Sequence, residues 1–420
     1  MIFPICNFTL ICYIISFINN SIWRTIMAIE LSYVLITPYS LMKSRTGGIL
    51  ARLLSRTDLA FVGAQILTPS AEFAEKYAAS LRSNLGKSDP FAAKLFSDYV
   101  LENMMPLEDG SKVRIMMLLF RGEDACRKLA EIVGGVLPNA KHRLCDNIIG
   151  ETIRDTYADL VFNRDGSLNY FEPAVLTPPD HATCMERLDF IAEFAENSEN
   201  IVESNVKVDG VEKTLVIIKP DNWRCPSTKP GNIIDMFSRT GLRIVGCKVY
   251  QMSVADALEF YGPVQNALRK KLAPVIGKKA MVQLEESFGI KMSDAEEQHL
   301  IESVGKVYAD DQFCKIVEFM SGVRPDECPE NEKENPGKVK CMILIYEGPD
   351  AVNKIRTVLG PTDPTKAPGG TIRREFGHDV MVNTAHASDS QESFQRESNI
   401  IKIQNNSMAR IIREYLASSN

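Results

Sequence analysis

The chain repeats itself, and that repeat limits the choice of fold more than any other feature. Tyr33-Val-Leu-Ile-Thr-Pro38 matches Leu215-Val-Ile-Ile-Lys-Pro220, with the two prolines 182 positions apart. Phe61-Val-Gly-Ala-Gln65 matches Ile244-Val-Gly-Cys-Lys248 at an offset of 183. Phe120-Arg-Gly-Glu-Asp-Ala125 then matches Tyr346-Glu-Gly-Pro-Asp-Ala351 at 226, and Thr152-Ile-Arg154 matches Thr371-Ile-Arg373 at 219. Four matches in one order point to a duplicated domain. The jump in offset gives the second copy an extra segment of about forty residues.

Each copy reads as alternating strands and helices. Residues 213–219 form an apolar run closed by Pro220, which cannot extend a ladder. In 231–240, Ile233, Ile234, Met236 and Phe237 fall on helical spacing, and Gly241 ends the helix. Strands follow at 242–250 and 338–346, with 380–383 a candidate fourth. The order is that of a split βαβ unit, so the expected class is α+β, two tandem ferredoxin-like (βαββαβ) domains. The expected bounds are an apolar leader at 1–27, a first copy at 28–196, a polar linker at 197–212 and a second copy at 213–420. The second copy carries the insertion at about 264–312, helical in pattern and broken at Gly289. Residues 322–338, rich in Pro, Glu and Lys, read as a solvated excursion.

Composition narrows the function classes. The 420 residues leave room for two or three cores at ~150 residues each. With 48 Lys+Arg against 54 Asp+Glu, the net charge of −6 argues against a nucleic-acid partner, which demands a basic footprint. Ten cysteines without a CxxC spacing exclude a zinc ribbon, and scattered thiols suit a reducing cytoplasm. None of the five histidines pair at i, i+4, so no metal centre is expected. Residues 1–18 are apolar but lack a preceding basic residue and a small-residue cleavage site, so a signal peptide is unsupported. A start at Met27 is the favoured reading; a membrane contact follows only if residues 1–26 are part of the protein.

Phosphate-loop motifs are absent. Gly86-Lys87-Ser88 ends like one, but Leu81 stands where its first glycine belongs, and there is no GxGxxG. The informative stretch is Asn383-Thr-Ala-His386-Ala-Ser-Asp-Ser390, a lone histidine after a strand and ahead of a capping pattern (Ser388 with Gln391, or Asp389 with Glu392). A helix start there favours an anion, and Lys219, Arg356 and Arg373 fall at strand ends or loops, the equipment for a polyphosphate.

Ile218-Lys-Pro-Asp221, Gly241-Leu-Arg-Ile-Val-Gly246, Glu347-Gly348, Leu359-Gly-Pro-Thr-Asp-Pro364, Gly370-Thr-Ile-Arg373 and the His386 stretch together resemble the nucleoside diphosphate kinase family. The resemblance covers 213–400 apart from the insertions. It implies transfer of the γ-phosphoryl group from a nucleoside triphosphate to a diphosphate by a ping-pong route through a phosphohistidine on His386. It implies that Lys219, Arg356 and Arg373 hold phosphates, Thr362 donates to a phosphate oxygen and Asn383 to the sugar hydroxyl. Phe313 and Val380 would sandwich the base, while Tyr261, Ser388 and Glu397 would orient the lysine and the histidine. Mg2+ would arrive on the nucleotide phosphates, and a homo-oligomer is expected. Ala387 replaces the family's usual Gly and Val382 its usual Arg. They motivate an alternative, a catalytically silent nucleotide-sensing or assembly protein.

The first copy lacks this equipment. Thr37 replaces Lys219, Ala130 replaces Arg356, Pro173 replaces Asn383 and Leu176 takes the nucleophile's place, while Arg154 matches Arg373. His181-Ala-Thr183 echoes His386-Ala-Ser388, but Thr177-Pro178-Pro179-Asp180 reads as N-cap to N3, which puts His181 inside a helix.

Overall fold

Alternation along the first strand sets the layers. In β1 (Ile29–Ile36), Leu31, Tyr33 and Leu35 enter one apolar core, and Val34 and Ile36 enter another. A strand buried on both faces is apolar at nearly every position. The computed structural model describes residues 29–86, 88–135, 150–205 and 208–419. Beside β1 lie β2 (Ala60–Leu67), β3 (Ile115–Glu123) and β6 (Val175–Leu176), in the order β2-β3-β1-β6 and antiparallel throughout. β4 (Asp159–Phe162) and β5 (Leu168–Glu172) form a separate hairpin.

A second four-stranded antiparallel sheet follows. It contains β7 (Val211–Ile218), β8 (Arg243–Tyr250), β9 (Cys341–Pro349) and β10 (Ala385–Ala387), in the order β10-β7-β9-β8. Read from the other edge, this is the order of the first sheet. The correspondence extends to irregularities. Both second strands shift register, between Phe61 and Gly63 and between Ile244 and Gly246. Asp124 (φ 57°) and Asp350 (φ 55°) both turn left-handed before a helix, as do Ala174 (φ 63°) and Thr384 (φ 78°) before the last strand. Chance does not place four non-glycine outliers in matching pairs.

The two sheets share a core. Helices Thr46–Ser55 and Lys229–Ser238 cross at Gly47 and Gly231. A Cβ on Gly231 would stand 2.3 Å from the Ala51 nitrogen, and one on Gly47 would stand 2.5 Å from the Asp235 nitrogen. Glycine is needed for backbone approach, and the apolar cluster runs on through residues of both halves. Helices Ala71–Leu85, Pro90–Asn103 and His181–Glu196 cover the other face of the first sheet.

Three expected boundaries differ. Helix Met408–Ser419, read as the end of the second copy, sends Met408, Ile412 and Tyr415 into the first sheet's outer core. The linker is anchored at its start: Val202 is buried, Asn200 donates to the Ile403 carbonyl, and the Ser204 N–H and hydroxyl donate to Glu347. Helix Val254–Phe288 runs unbroken through Pro263 and Pro274, across the expected start of the insertion at 264, and ends at left-handed Gly289. It packs against helix Lys306–Ser321, with Arg269 forking onto Asp310 at 2.6 and 2.9 Å. Residues 380–383 are not a strand. The Asp379 carboxylate accepts from the N–H groups of Met381 and Val382, and this local turn outcompetes a ladder. Among the described residues no helix is long and apolar enough to cross a membrane; the 1–18 stretch lies outside them.

Gly231→Leu is expected to lower stability by roughly 1–3 kcal/mol through backbone overpacking. Gly262→Ala, in the same class of element but facing open space, should be neutral or stabilising. Urea unfolding of both variants checks the pair; equal effects would remove the close-approach argument.

Candidate active site

β7 delivers a lysine at its end because Pro220 stops the strand one residue later and opens a short turn, Pro220–Trp223. The Lys219 ammonium is buried. It donates to the Asn383 Oδ1 at 2.6 Å and the Met381 carbonyl at 3.3 Å, and lies 5.8 Å from the Phe319 ring centre. Burial, followed by the nearby Arg373 charge, lowers its pKa from 10.5 to about 8. Amide and carbonyl partners do not neutralise it, so the site keeps positive charge for an anion.

His386 stands on β10 opposite Ile217. Its Nε2 lies 3.0 Å from one Glu397 oxygen, and the other accepts from the Ser388 hydroxyl at 2.7 Å. A carboxylate only accepts, so Nε2 carries the proton and the Nδ1 lone pair remains available in the neutral ring. Phe260 meets the imidazole edge-on at 5.1 Å and Tyr261 at 6.4 Å. The following helix, Gln391–Ile400, is capped by Ser390 rather than by Ser388 or Asp389, because the Ser388 hydroxyl is committed to Glu397.

Arg373 donates to the carbonyls of Gly360 and Ala385, each at 2.9 Å. Burial, then Arg356, lowers its pKa to about 10. Arg356 itself is exposed and in range of that guanidinium. Thr362 and Val380 lie at the rim, both exposed, and their carbonyls accept from the Asn383 amide at 3.1 and 2.9 Å. Three expected roles need correction. Asn383 is buried with both N–H groups engaged, so no donor is free for a sugar hydroxyl. The Tyr261 hydroxyl is buried without a hydrogen-bond partner, so it packs on the histidine and does not hold the lysine. Phe313, on helix 306–321, is only 4% exposed and packed among Phe260, Tyr261, Val317 and Met320, so it presents no face to a base. Phe260 and Phe319 were not legible as site neighbours, since no spacing signal separates them from core aromatics.

The first half fills the same place differently. Leu176 pairs with Leu35 as His386 does with Ile217. Thr37 and Tyr99 donate to the buried carboxylate of Glu172 at 2.6 and 2.7 Å. Arg154 bonds the carbonyls of Gly134 and Val175, as Arg373 does those of Gly360 and Ala385. Seven residues after each helix cap, Arg187 stands where the other half has Glu397, and it covers the Tyr77 ring at 4.9 Å. Asp180, not Thr177, caps that helix, since the Thr177 hydroxyl donates to the Tyr33 carbonyl. His181 is therefore the first helical residue.

An imidazole held by a carboxylate, with Lys219, Arg373 and Arg356 nearby, suits transfer of an anionic group. A family model described as nucleoside diphosphate kinase matches residues 212–273 and 332–406. The nucleoside diphosphate kinase of a Nitratiruptor species is 31% identical over 187 residues, 44% of this chain and 92% of the relative. That of Staphylothermus marinus is 30% identical over 190 residues, 45% of this chain and 92% of the relative. An orthorhombic crystal form of the Aquifex aeolicus nucleoside diphosphate kinase aligns at 26% identity and a TM-score of 0.28, over 46% of this chain and 94% of that one. The chain belongs to the nucleoside diphosphate kinase family.

The Lys219 shift has a definite sign in stability. The folded lysine binds its proton less tightly than the unfolded one, so below about pH 8 the buried charge is a penalty, and stability rises as pH climbs from 8 towards 10.5. Lys219→Met should lack this part of the rise. Denaturant unfolding of wild type and variant across that range checks it; parallel curves would refute it. Lys248 is shifted to about 8 in both proteins and cancels in the comparison.

Proposed function

We propose that the second half is a phosphotransferase in which His386 takes the γ-phosphoryl group of a nucleoside triphosphate and returns it to a nucleoside diphosphate. The single observation that carries this is the His386–Glu397–Ser388 chain beside the buried ammonium of Lys219. The Nδ1 lone pair attacks the γ-phosphorus, the bond to the β–γ bridging oxygen breaks, and that oxygen leaves with the diphosphate. Glu397 accepts from Nε2–H throughout and offsets the positive charge that the ring gains. Lys219 and Arg356 supply charge for the phosphate oxygens, Arg373 supports them from behind β10, and the Thr362 hydroxyl stands at the rim. Val380 offers an apolar contact to the base, which any base can use. Mg2+ belongs to the substrate here and comes with the nucleotide phosphates.

In the same reading the chain is two tandem ferredoxin-like domains, and the first is a non-catalytic copy. Glu172 places a carboxylate where phosphate would need a cation, and Leu176 replaces the nucleophile. The Gly47–Gly231 crossing lets this copy stand where a partner subunit would. A homo-oligomer of the intact chain is checked by light scattering; a monomer at all working concentrations would remove it. The engaged amide of Asn383 favours one second reading, a silent nucleotide sensor.

Incubation with γ-labelled ATP separates the two. The expected label is acid-labile and base-stable, lies in the second half, and is lost in His386→Ala. Nucleotide binding without label in wild type would establish the sensor. Glu397→Gln should cost about 10–100-fold in labelling rate by loosening the imidazole. In the active enzyme kcat/KM for nucleotide should fall above about pH 8 as free Lys219 loses its proton.

A further inference from the structure

Sequence spacing gave no metal centre, but folding brings a ligating set together in the first half. Glu30 on β1, Cys126 in the first turn of helix Ala125–Val133 and His181 at the start of helix 181–196 offer three ligand atoms, all within 4.8 Å of one another. His181 Nδ1 stands 3.7 Å from Glu30 Oε1, and Glu30 Oε2 accepts the Cys126 N–H at 3.0 Å. Four-coordinate zinc holds its ligand atoms about 3.3–3.8 Å apart, so small side-chain adjustments suffice. The three come from one strand and two helix ends, which fixes their backbones.

The second half shows what the same corner needs when it is only structural. Glu212 there accepts the Val352 N–H at 3.0 Å and the Gln391 amide at 3.1 Å. Glu212, Val352 and Gln391 correspond to Glu30, Cys126 and His181 by strand register, helix start and helix cap. The carboxylate serves the helix in both halves. Both other corners differ, and both differences put a ligating atom where the second half has an alkyl group or an amide.

We infer that Glu30, Cys126 and His181 form a divalent-cation site of the zinc class. A thiolate and a carboxylate balance the ion's two charges, with the imidazole neutral. The thiolate selects against Mg2+ and Ca2+. The Glu30 oxygen held by the Cys126 N–H leaves the other to ligate, so the second shell is already in place. Buried Cys126 closes one side and half-exposed His181 opens the other, leaving a fourth position for water. The ion would fasten the starts of two helices to β1 in the half that carries no nucleophile.

The test uses the full-length protein, stripped with a chelator and titrated with Co2+ and then Zn2+. A thiolate-to-cobalt charge-transfer band at one equivalent, displaced by Zn2+, is expected for wild type. Cys126→Val and His181→Gln install the second half's own residues, so both should fold, and each should lose the band or weaken binding at least tenfold. Zn2+ should raise the thermal midpoint of wild type alone, with phosphotransfer unchanged in all three proteins. No band in wild type means an ion pair only between His181 and Glu30, and overturns the site. A band that survives both substitutions arises from other thiols and overturns it equally.

Discussion

The guanidinium of Arg373 ties two separate pieces of chain together. It donates to the carbonyl of Gly360, past the end of helix Ala351–Leu359, and to that of Ala385 in β10. β10 is three residues long and pairs with β7 alone, so its ladder by itself is a weak anchor for His386. A planar fork of donors can grip two carbonyls at once, which an ammonium cannot do with the same fixed geometry. Arg154 makes the matching pair of bonds in the first half, where Leu176 stands in place of the histidine. The residue therefore serves the fold first. Its charge also reaches the site, where it follows burial as a cause of the lowered pKa of Lys219.

Around this shared clamp the two halves carry opposite electrostatics. One has an ammonium held by an amide, the other a hydroxyl held by a carboxylate. One has imidazole and glutamate in line, the other leucine and arginine. Each exchange is matched by its neighbour. Leu176 could not satisfy a buried carboxylate at the Glu397 position; Arg187 there finds Tyr77 and Ser80 instead. A histidine in place of Leu176 would find Arg187, not a carboxylate, at the position of Glu397, so the residues of each half are matched as a set.

How much of this was legible follows from the range of each interaction. Repeat offsets, strand runs and the Gly289 stop are local patterns, and the sheets and helix ends follow them closely. The clustering of Lys219, Arg373, Asn383 and His386 was legible only through ordered motifs, since 162 residues separate Lys219 from the Met381 carbonyl it reaches. Thr177 and Ser388 each carry a local capping signal that a more distant partner overrides, the Tyr33 carbonyl and the Glu397 carboxylate, while at 380–383 the local Asp379 turn displaces the strand. Phe313 is buried among Phe260, Tyr261, Val317 and Met320, a packing that its position in the sequence does not reveal.

The backbone ahead of His386 shows how the sheet aims the chemistry. Thr384 holds φ at 78°, a left-handed conformation that costs a non-glycine residue on the order of 1–3 kcal/mol. Its carbonyl accepts the Lys219 N–H at 3.0 Å and the Asn222 amide at 2.8 Å, which lock the turn against relaxation. Ala174 adopts the same conformation, and its carbonyl takes both the N–H and the hydroxyl of Thr37. The strain is present where leucine, not histidine, follows, so holding it does not depend on the histidine. It belongs to the way a short edge strand leaves the preceding loop and meets the first strand's end. The candidate site shares this geometry: one peptide group fixes the lysine and, two residues on, the histidine. Ammonium and imidazole are thus set by a single backbone geometry that recurs in both halves.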